Sequence, residues 1–309
     1  MVPSTHAHVR ARAGSQDGRS RFEEEERKKG LAWVYYEEDI NQVHFTKREK
    51  KPIPTGIYHA AKIDRPEMAR LMMSDIGALP SISGIDLDGH DFTALDVGAE
   101  KGNHATIREF FRYEPAMADL LPYLQHKGDG LTPFHRAAVG AKEKHAETIR
   151  MMHEQFPVGN TEWGIDITTK ADVNASSIDP AHRGATPLHL AAAKGRMHNV
   201  LALIELGADV NARDDAGNTP LHAAVAGLGS KKKEFKDHED VVRTLLQKGA
   251  DARAENEEKK TAHDVAAEIH AREIVTPREK RLMKPVPEDI LEALAPGGAG
   301  GGGGGGELR

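Results

Sequence analysis

Histidine is the residue type to weigh first, because the chain holds 17 of them and no cysteine. An imidazole can ligate a metal, move a proton or fasten a helix end. His135, His189 and His222 each close one recurring phrase, Thr132-Pro133-Phe134-His135, Thr186-Pro187-Leu188-His189 and Thr219-Pro220-Leu221-His222. One histidine per phrase places successive imidazoles on successive structural units. Packed helices lie about 8–10 Å apart, whereas the ligands of a zinc ion each sit about 2 Å from it. Histidines in one slot of neighbouring units therefore cannot share an ion, and they are expected to serve helix starts instead. No metal site is expected.

Other chemistry fails on spacing. Asp86-Leu87-Asp88-Gly89-His90-Asp91 resembles part of a calcium loop, but no bidentate Glu stands at the twelfth position from Gly84 or from Asp86. It reads as an acidic turn. Without cysteine there is no disulfide, thiolate nucleophile or Cys-type zinc site. Gly-Lys-Ser/Thr, Gly-x-Ser-x-Gly and His-Glu-x-x-His are all absent. The glycine-rich run from Gly297 to Gly306 fits Gly-x-Gly-x-x-Gly without a strand before it or a helix after it. No cofactor and no enzymatic activity are expected.

The elements that carry the histidines recur. The repeat threonines are Thr55, Thr93, Thr132, Thr186, Thr219 and Thr261, at spacings of 38, 39, 54, 33 and 42 residues. The shortest unit shows the plan. Thr186 can cap a helix, and Pro187 sits at the first helical position, where its missing N–H costs nothing. Leu188, Ala191 and Ala192 make a small-residue face, and Gly195 stops the helix. A second helix presents Val200, Leu203 and Ile204 at i, i+3, i+4, and Gly207 ends it. Matching apolar triplets are Ala69, Met72, Met73; Ile107, Phe110, Phe111; Thr148, Met151, Met152; and Val242, Leu245, Leu246.

These residues resemble the ankyrin-repeat family, most closely through Gly184-Ala-Thr-Pro-Leu-His-Leu-Ala-Ala-Ala-Lys-Gly195 and Leu206-Gly-Ala-Asp-Val-Asn211. The resemblance covers about residues 53 to 275. Repeats one and two lack the Pro and His, and repeat six shows no second-helix triplet, so it reads as a frayed cap. The fold class expected is all-α, an ankyrin-repeat solenoid of about six helix-turn-helix units with protruding β-turn or hairpin loops. Units fall near 53–90, 91–129, 130–183, 184–216, 217–258 and 259–276. Repeat three carries an insertion over 156–170 that holds Trp163, and repeat five one over 227–237.

The flanks read differently. Residues 1–30 form a polar, disordered tail and 31–52 an aromatic and basic capping segment that includes Leu31 to Tyr36. Residues 277–309 are a Pro-containing segment with an apolar patch at Ile290, Leu291 and Leu294, then a Gly-rich disordered tail. The net charge of −6 gives no reason to expect nucleic acid as partner. No apolar run long enough to cross a membrane and no secretory signal is present, so the expected location is the cytoplasm, with the nucleus as the alternative. Lys47-Arg-Glu-Lys-Lys51 and Lys231-Lys-Lys233 read as solvated surface or as import signals.

A stack of helix pairs offers a surface rather than a pocket. The resemblance implies a protein partner on a concave face lined by first helices and turn tips. It places the contacts at His90, Phe92, Glu100, Lys101, Asp129, Leu131, His182, Arg183, Lys194, Asp215 and Asn218; Trp163, in a polar insertion, either folds back onto the stack or anchors a partner. The family also marks Asn174 and Asn211 as candidates for asparaginyl hydroxylation. The expected function is that of a non-enzymatic adaptor or scaffold, monomeric by itself. The alternative is a regulatory or substrate-recruiting subunit docked through its terminal segments.

Overall fold

The computed structural model describes residues 44–45, 52–53, 56–76, 78, 83–85, 91–113, 130–154, 159–160, 166–167, 173–179, 181–228, 235–275 and 286–295. His90, Asp129, Trp163, Leu31 to Tyr36 and the lysine cluster 231–233 lie outside them. The chain divides into two compact units, residues 1–98 with 105–117, and residues 99–104 with 118–309.

Helices come in pairs. They are α1 (Gly56–Ile63) with α2 (Pro66–Ile76), α3 (Ala94–Lys101) with α4 (His104–Tyr113), and α5 (Pro133–Val139) with α6 (Glu143–Glu154). Then follow α7 (Pro187–Ala193) with α8 (Met197–Glu205), α9 (Pro220–Leu228) with α10 (Phe235–Gln247), and α11 (Ala262–Val275) with α12 (Glu288–Leu294). Three short antiparallel ladders accompany them: β1 (His44–Phe45) with β2 (Pro52–Ile53), β3 (Ser83–Ile85) with β4 (Asp91–Thr93), and β5 (Gly159–Asn160) with β6 (Asp166–Ile167). The β3–β4 pair, in register Gly84 with Phe92, is the hairpin between repeats one and two.

One slot of the second helix makes the core in each of the first five repeats. Met72, Phe110, Met152, Leu203 and Leu245 are all fully buried. Ahead of each by three stand Ala69, Ile107, Ile149, Val200 and Val242, also fully buried. Repeat three departs here from the triplet Thr148, Met151, Met152, because the equivalent residues begin at Ile149. From Thr132 to His145 is 13 residues, whereas from Thr186 to Arg196 is 10, and the three extra residues lengthen the start of the second helix: α6 begins two residues before His145, whereas α8 begins one residue after Arg196. His145 and Arg196 are the true equivalents, since each bonds the carbonyl seven residues past the preceding repeat's threonine, Glu100 and Val139.

The sixth repeat does own a second helix. Val286, Ile290 and Leu294 are buried at 1%, 0% and 1% exposure against α10 and α11, and Arg243 clamps Asp289 at 2.5 Å. The apolar patch sought cover, and the bare side of α11 provided it. Ile290→Ala is expected to cost roughly 2–4 kcal/mol, read as a lowered urea midpoint of the full chain.

Candidate protein-interaction surface

Three sets of side-chain bonds tie each repeat of the second unit to its neighbours. The first uses the phrase histidines. Nδ1 of His135, His189 and His222 accepts the backbone N–H of Thr132, Thr186 and Thr219 at 3.1–3.2 Å. The proton must then sit on Nε2, and it is donated to Ala185 O, Asn218 O and Lys260 O at 2.9–3.1 Å. Those carbonyls belong to the residues just before the next threonine, so each ring caps its own helix and fastens the next repeat.

Repeats two and six place Asp in this slot. Oδ2 of Asp96 accepts from Thr93 N–H and Oγ1 at 3.1 and 2.8 Å, and Asp264 does the same with Thr261 at 2.9 and 2.8 Å. The capping half of the device survives, and a carboxylate has no N–H to pass onward.

Burial, the largest cause, holds the pKa of His189 below its ordinary 6.5, and that of His222 likewise. A base whose folded pKa is depressed binds fewer protons when native than when unfolded. Its contribution to stability is therefore complete above pH 6.5 and is lost as the pH falls below that value. The urea midpoint is expected to fall on acidification through this window, and the fall should be shallower in His189→Asn with His222→Asn. A parallel decline in wild type and variant would remove these rings as its source.

The second set points backward. At the start of the second helices, His145 Nε2 donates to Glu100 O at 3.0 Å, Arg196 Nε to Val139 O at 3.1 Å and His238 Nε2 to Ala193 O at 3.1 Å. Deeper in α8, Asn199, 1% exposed, aims Nδ2 at Gly140 O, Ala138 O and Ala137 O at 2.8, 2.9 and 3.2 Å. In the first unit Thr106 Oγ1 donates to Asp64 Oδ1 at 2.9 Å. These ties were missed in the sequence because the residue type changes from repeat to repeat. For His145, Arg196 and His238 a fixed place, four residues ahead of the buried slot at Ile149, Val200 and Val242, was the signal that could have found them.

The third set runs along the turns. Asn174 takes Asp209 N–H at 2.8 Å and gives to Gly207 O at 3.4 Å; Asn211 takes Asp251 N–H at 2.8 Å and gives to Gly249 O at 3.1 Å. Further out, Asp215 N–H bonds Arg183 O at 3.2 Å and Glu257 N–H bonds Ala216 O at 3.0 Å. The turn tips are thus fixed backbones, and several of their side chains face solvent.

The candidate residues fall into two groups at opposite ends of the first helices. A first helix such as α7, seven residues long, spans about 10 Å. At the turn-tip end His182, Arg183 and Asp215 are exposed, Arg183 and Asp215 approach to 4.0 Å, and Ile178 beside them is 60% exposed. Leu131 is half-buried. Asn218 is held within the turns, giving to Asp214 Oδ2 at 3.2 Å and accepting from Asn256 Nδ2 at 3.0 Å. At the inter-helix end lie exposed Lys194 and the Glu100–Lys101 pair at 2.6 Å. Phe92 is placed by its backbone on β4. Among the described residues no group of three or more His, Asp or Glu is set to hold a metal, and no helix is long and apolar enough to cross a membrane.

Paired helices stacked through recurrent capping and turn bonds define a helical repeat array. Residues 110–214 and 141–256 match the family model for ankyrin repeats (3 copies), so this part of the chain is an array of ankyrin repeats. It is similar to Rabankyrin-5 of Mus musculus, 42% identical over 69 residues, 22% of this chain and 6% of that protein. Ankyrin repeat and SOCS box protein 16 of Mus musculus is 42% identical over 79 residues, 25% of this chain and 17% of that one. Protein phosphatase 1 regulatory subunit 12A of Mus musculus is 41% identical over 93 residues, 30% and 8% of the two chains. The chain thus spans less than a fifth of the length of these relatives. Arrays of this family are surfaces for protein–protein interaction.

Proposed function

We propose that the chain is a non-enzymatic adaptor that holds a protein partner on the face made by the first helices and turn tips of repeats three to five. One observation carries this reading: the backbones of Ile178, Arg183, Asp215 and Ala216 are bonded to neighbouring turns while the side chains of His182, Arg183, Asp215 and Ile178 face outward. A rigid frame that displays mixed charge and an exposed aliphatic side chain is preorganised for a protein surface. Affinity capture with the full chain, identified by mass spectrometry and repeated with the purified partner, tests it. Arg183→Glu with Asp215→Arg is expected to lose the partner. A partner retained at unchanged affinity places recognition elsewhere and overturns this assignment.

A second reading, a regulatory or recruiting subunit, is favoured by the likeness to a protein phosphatase 1 regulatory subunit. The apolar side of 286–294 is already buried on α10 and α11, which leaves Leu31 to Tyr36 as the docking segment of that reading. Deleting 31–36 should then release an enzyme partner while turn-tip binding persists.

Asn174 and Asn211 are proposed as hydroxylation substrates on the family resemblance. Peptide mass spectrometry of native material is expected to show one added oxygen at either residue, and unmodified peptides at both would remove the idea.

A further inference from the structure

We propose that the inter-helix turns of repeats three and four, residues 140–142 and 194–196, form a docking strip for an extended acidic segment of a protein partner. The proposal rests on the adaptor reading and adds the chemistry of what is held. Arg196 Nε on Val139 O and Asn199 Nδ2 on Gly140 O clamp the two turns side by side. Lys142, Lys194 and Arg196 therefore ride on one fixed edge, with Lys142 and Lys194 exposed.

Charge on this edge is uncompensated. Among the described residues, no carboxylate lies within ion-pair distance of Lys142, Lys194 or Arg196. By contrast Lys101, Arg150, Arg243, Lys259 and Lys260 each have one within 4.0 Å. The opposite end of the first helices has a net negative charge, with Asp179, Asp209, Asp214, Asp215, Asp251, Glu255, Glu257 and Glu258 against Arg183, Arg213, Arg253, Lys259 and Lys260. An acidic segment is attracted to one end of the helices and repelled from the other, which fixes the side on which it lies. Neighbouring repeats about 8–10 Å apart match a chain in the polyproline II conformation, with three residues per turn at about 3.1 Å each, so carboxylates three residues apart share a face and meet successive turns.

The test is fluorescence anisotropy of a labelled deca-glutamate peptide with the full chain at low ionic strength, with folding followed by circular dichroism. Binding is expected, weakening as salt is raised. Lys142→Glu with Lys194→Glu should weaken it about tenfold or more, while Lys248→Glu, at another exposed lysine without a carboxylate partner among the described residues, should leave it unchanged. Absence of deca-glutamate binding, or equal weakening by Lys248→Glu, overturns the strip. So does a preference of the same cations for phosphatidylserine vesicles over the peptide. If the strip fails while Arg183→Glu with Asp215→Arg still loses its captured partner, the adaptor reading stands without it.

Discussion

Asn199→Leu is expected to destabilise the protein by about 3 kcal/mol, and Asn199→Asp by more, although each keeps the size of the side chain. The amide supplies its two protons to three carbonyls of the α5 terminus, at 2.8 to 3.2 Å, inside a site 1% exposed. Leucine leaves these carbonyls without that donor in a place water barely reaches, at roughly 1–3 kcal/mol for each group left unsatisfied. Aspartate does worse, because a carboxylate faces three oxygens and must remain ionised or take up a proton. A protonated carboxyl can donate again, so the gap between the two variants should narrow on acidification. Stability in a repeat array is close to a sum of units and their interfaces. A weakened interface between repeats three and four should therefore split one unfolding transition into two. Urea unfolding followed by circular dichroism reads both effects; an Asn199→Leu midpoint equal to wild type would show that the three carbonyls find other partners.

The second large effect is expected at Gly227, where a single methyl group is enough. A Cβ there would fall 2.2 Å from Cδ2 and 2.3 Å from Nε2 of His238, and 3.0 Å from Ala193 O. It would stand where ring and carbonyl meet, so Gly227→Ala must push the imidazole away from Ala193. Overpacking of this kind costs about 1–3 kcal/mol, and loss of the bond adds about 1 kcal/mol. Gly140 stands in the same relation to His145, with a Cβ at 1.9 Å from Cδ2. Removing the ring relieves the clash: Gly227→Ala should cost much less when His238→Ala is already present. A double-mutant cycle on urea midpoints measures this coupling, and additive losses would mean that the methyl group is accommodated without moving the ring.

Much of this architecture was legible from residue types alone, because a recurring Thr-Pro-Leu-His carries cap, first turn and onward bond within four residues. The apolar slots of the second helices were also legible, except in repeat three. There Thr148, Ile149, Met151 and Met152 are all buried, so burial pattern could not fix the register. Only the bond of His145 to Glu100 O distinguishes it. The backward ties stayed hidden for a related reason, since histidine, arginine and asparagine reach the same carbonyls with different nitrogens. For the interaction surface, the sequence marked Lys194, Arg183 and Asp215 as outward-facing. It did not reveal that Asn218 is held by its neighbours, nor that Lys142 shares an edge with Lys194. Those facts depend on which turns touch, and that is a property of the stack.

A self-similar array carries a hazard of its own, since the bare face of its last unit is a template for the first unit of another copy. Growth of that kind makes fibres whenever the rotation between units does not close. The slot now held by Asp264 would, with histidine, offer an N–H to an incoming carbonyl. Aspartate offers lone pairs there, and the N–H of Thr261 helps keep its carboxyl below the usual range and so ionised. The adjoining apolar side is occupied by Ile290 and Leu294 of the chain itself. At this end the molecule therefore carries its own punctuation, and the seal made by Ile290 and Leu294 is what sets it apart from repeat two, where Asp96 holds the same slot and repeat three follows.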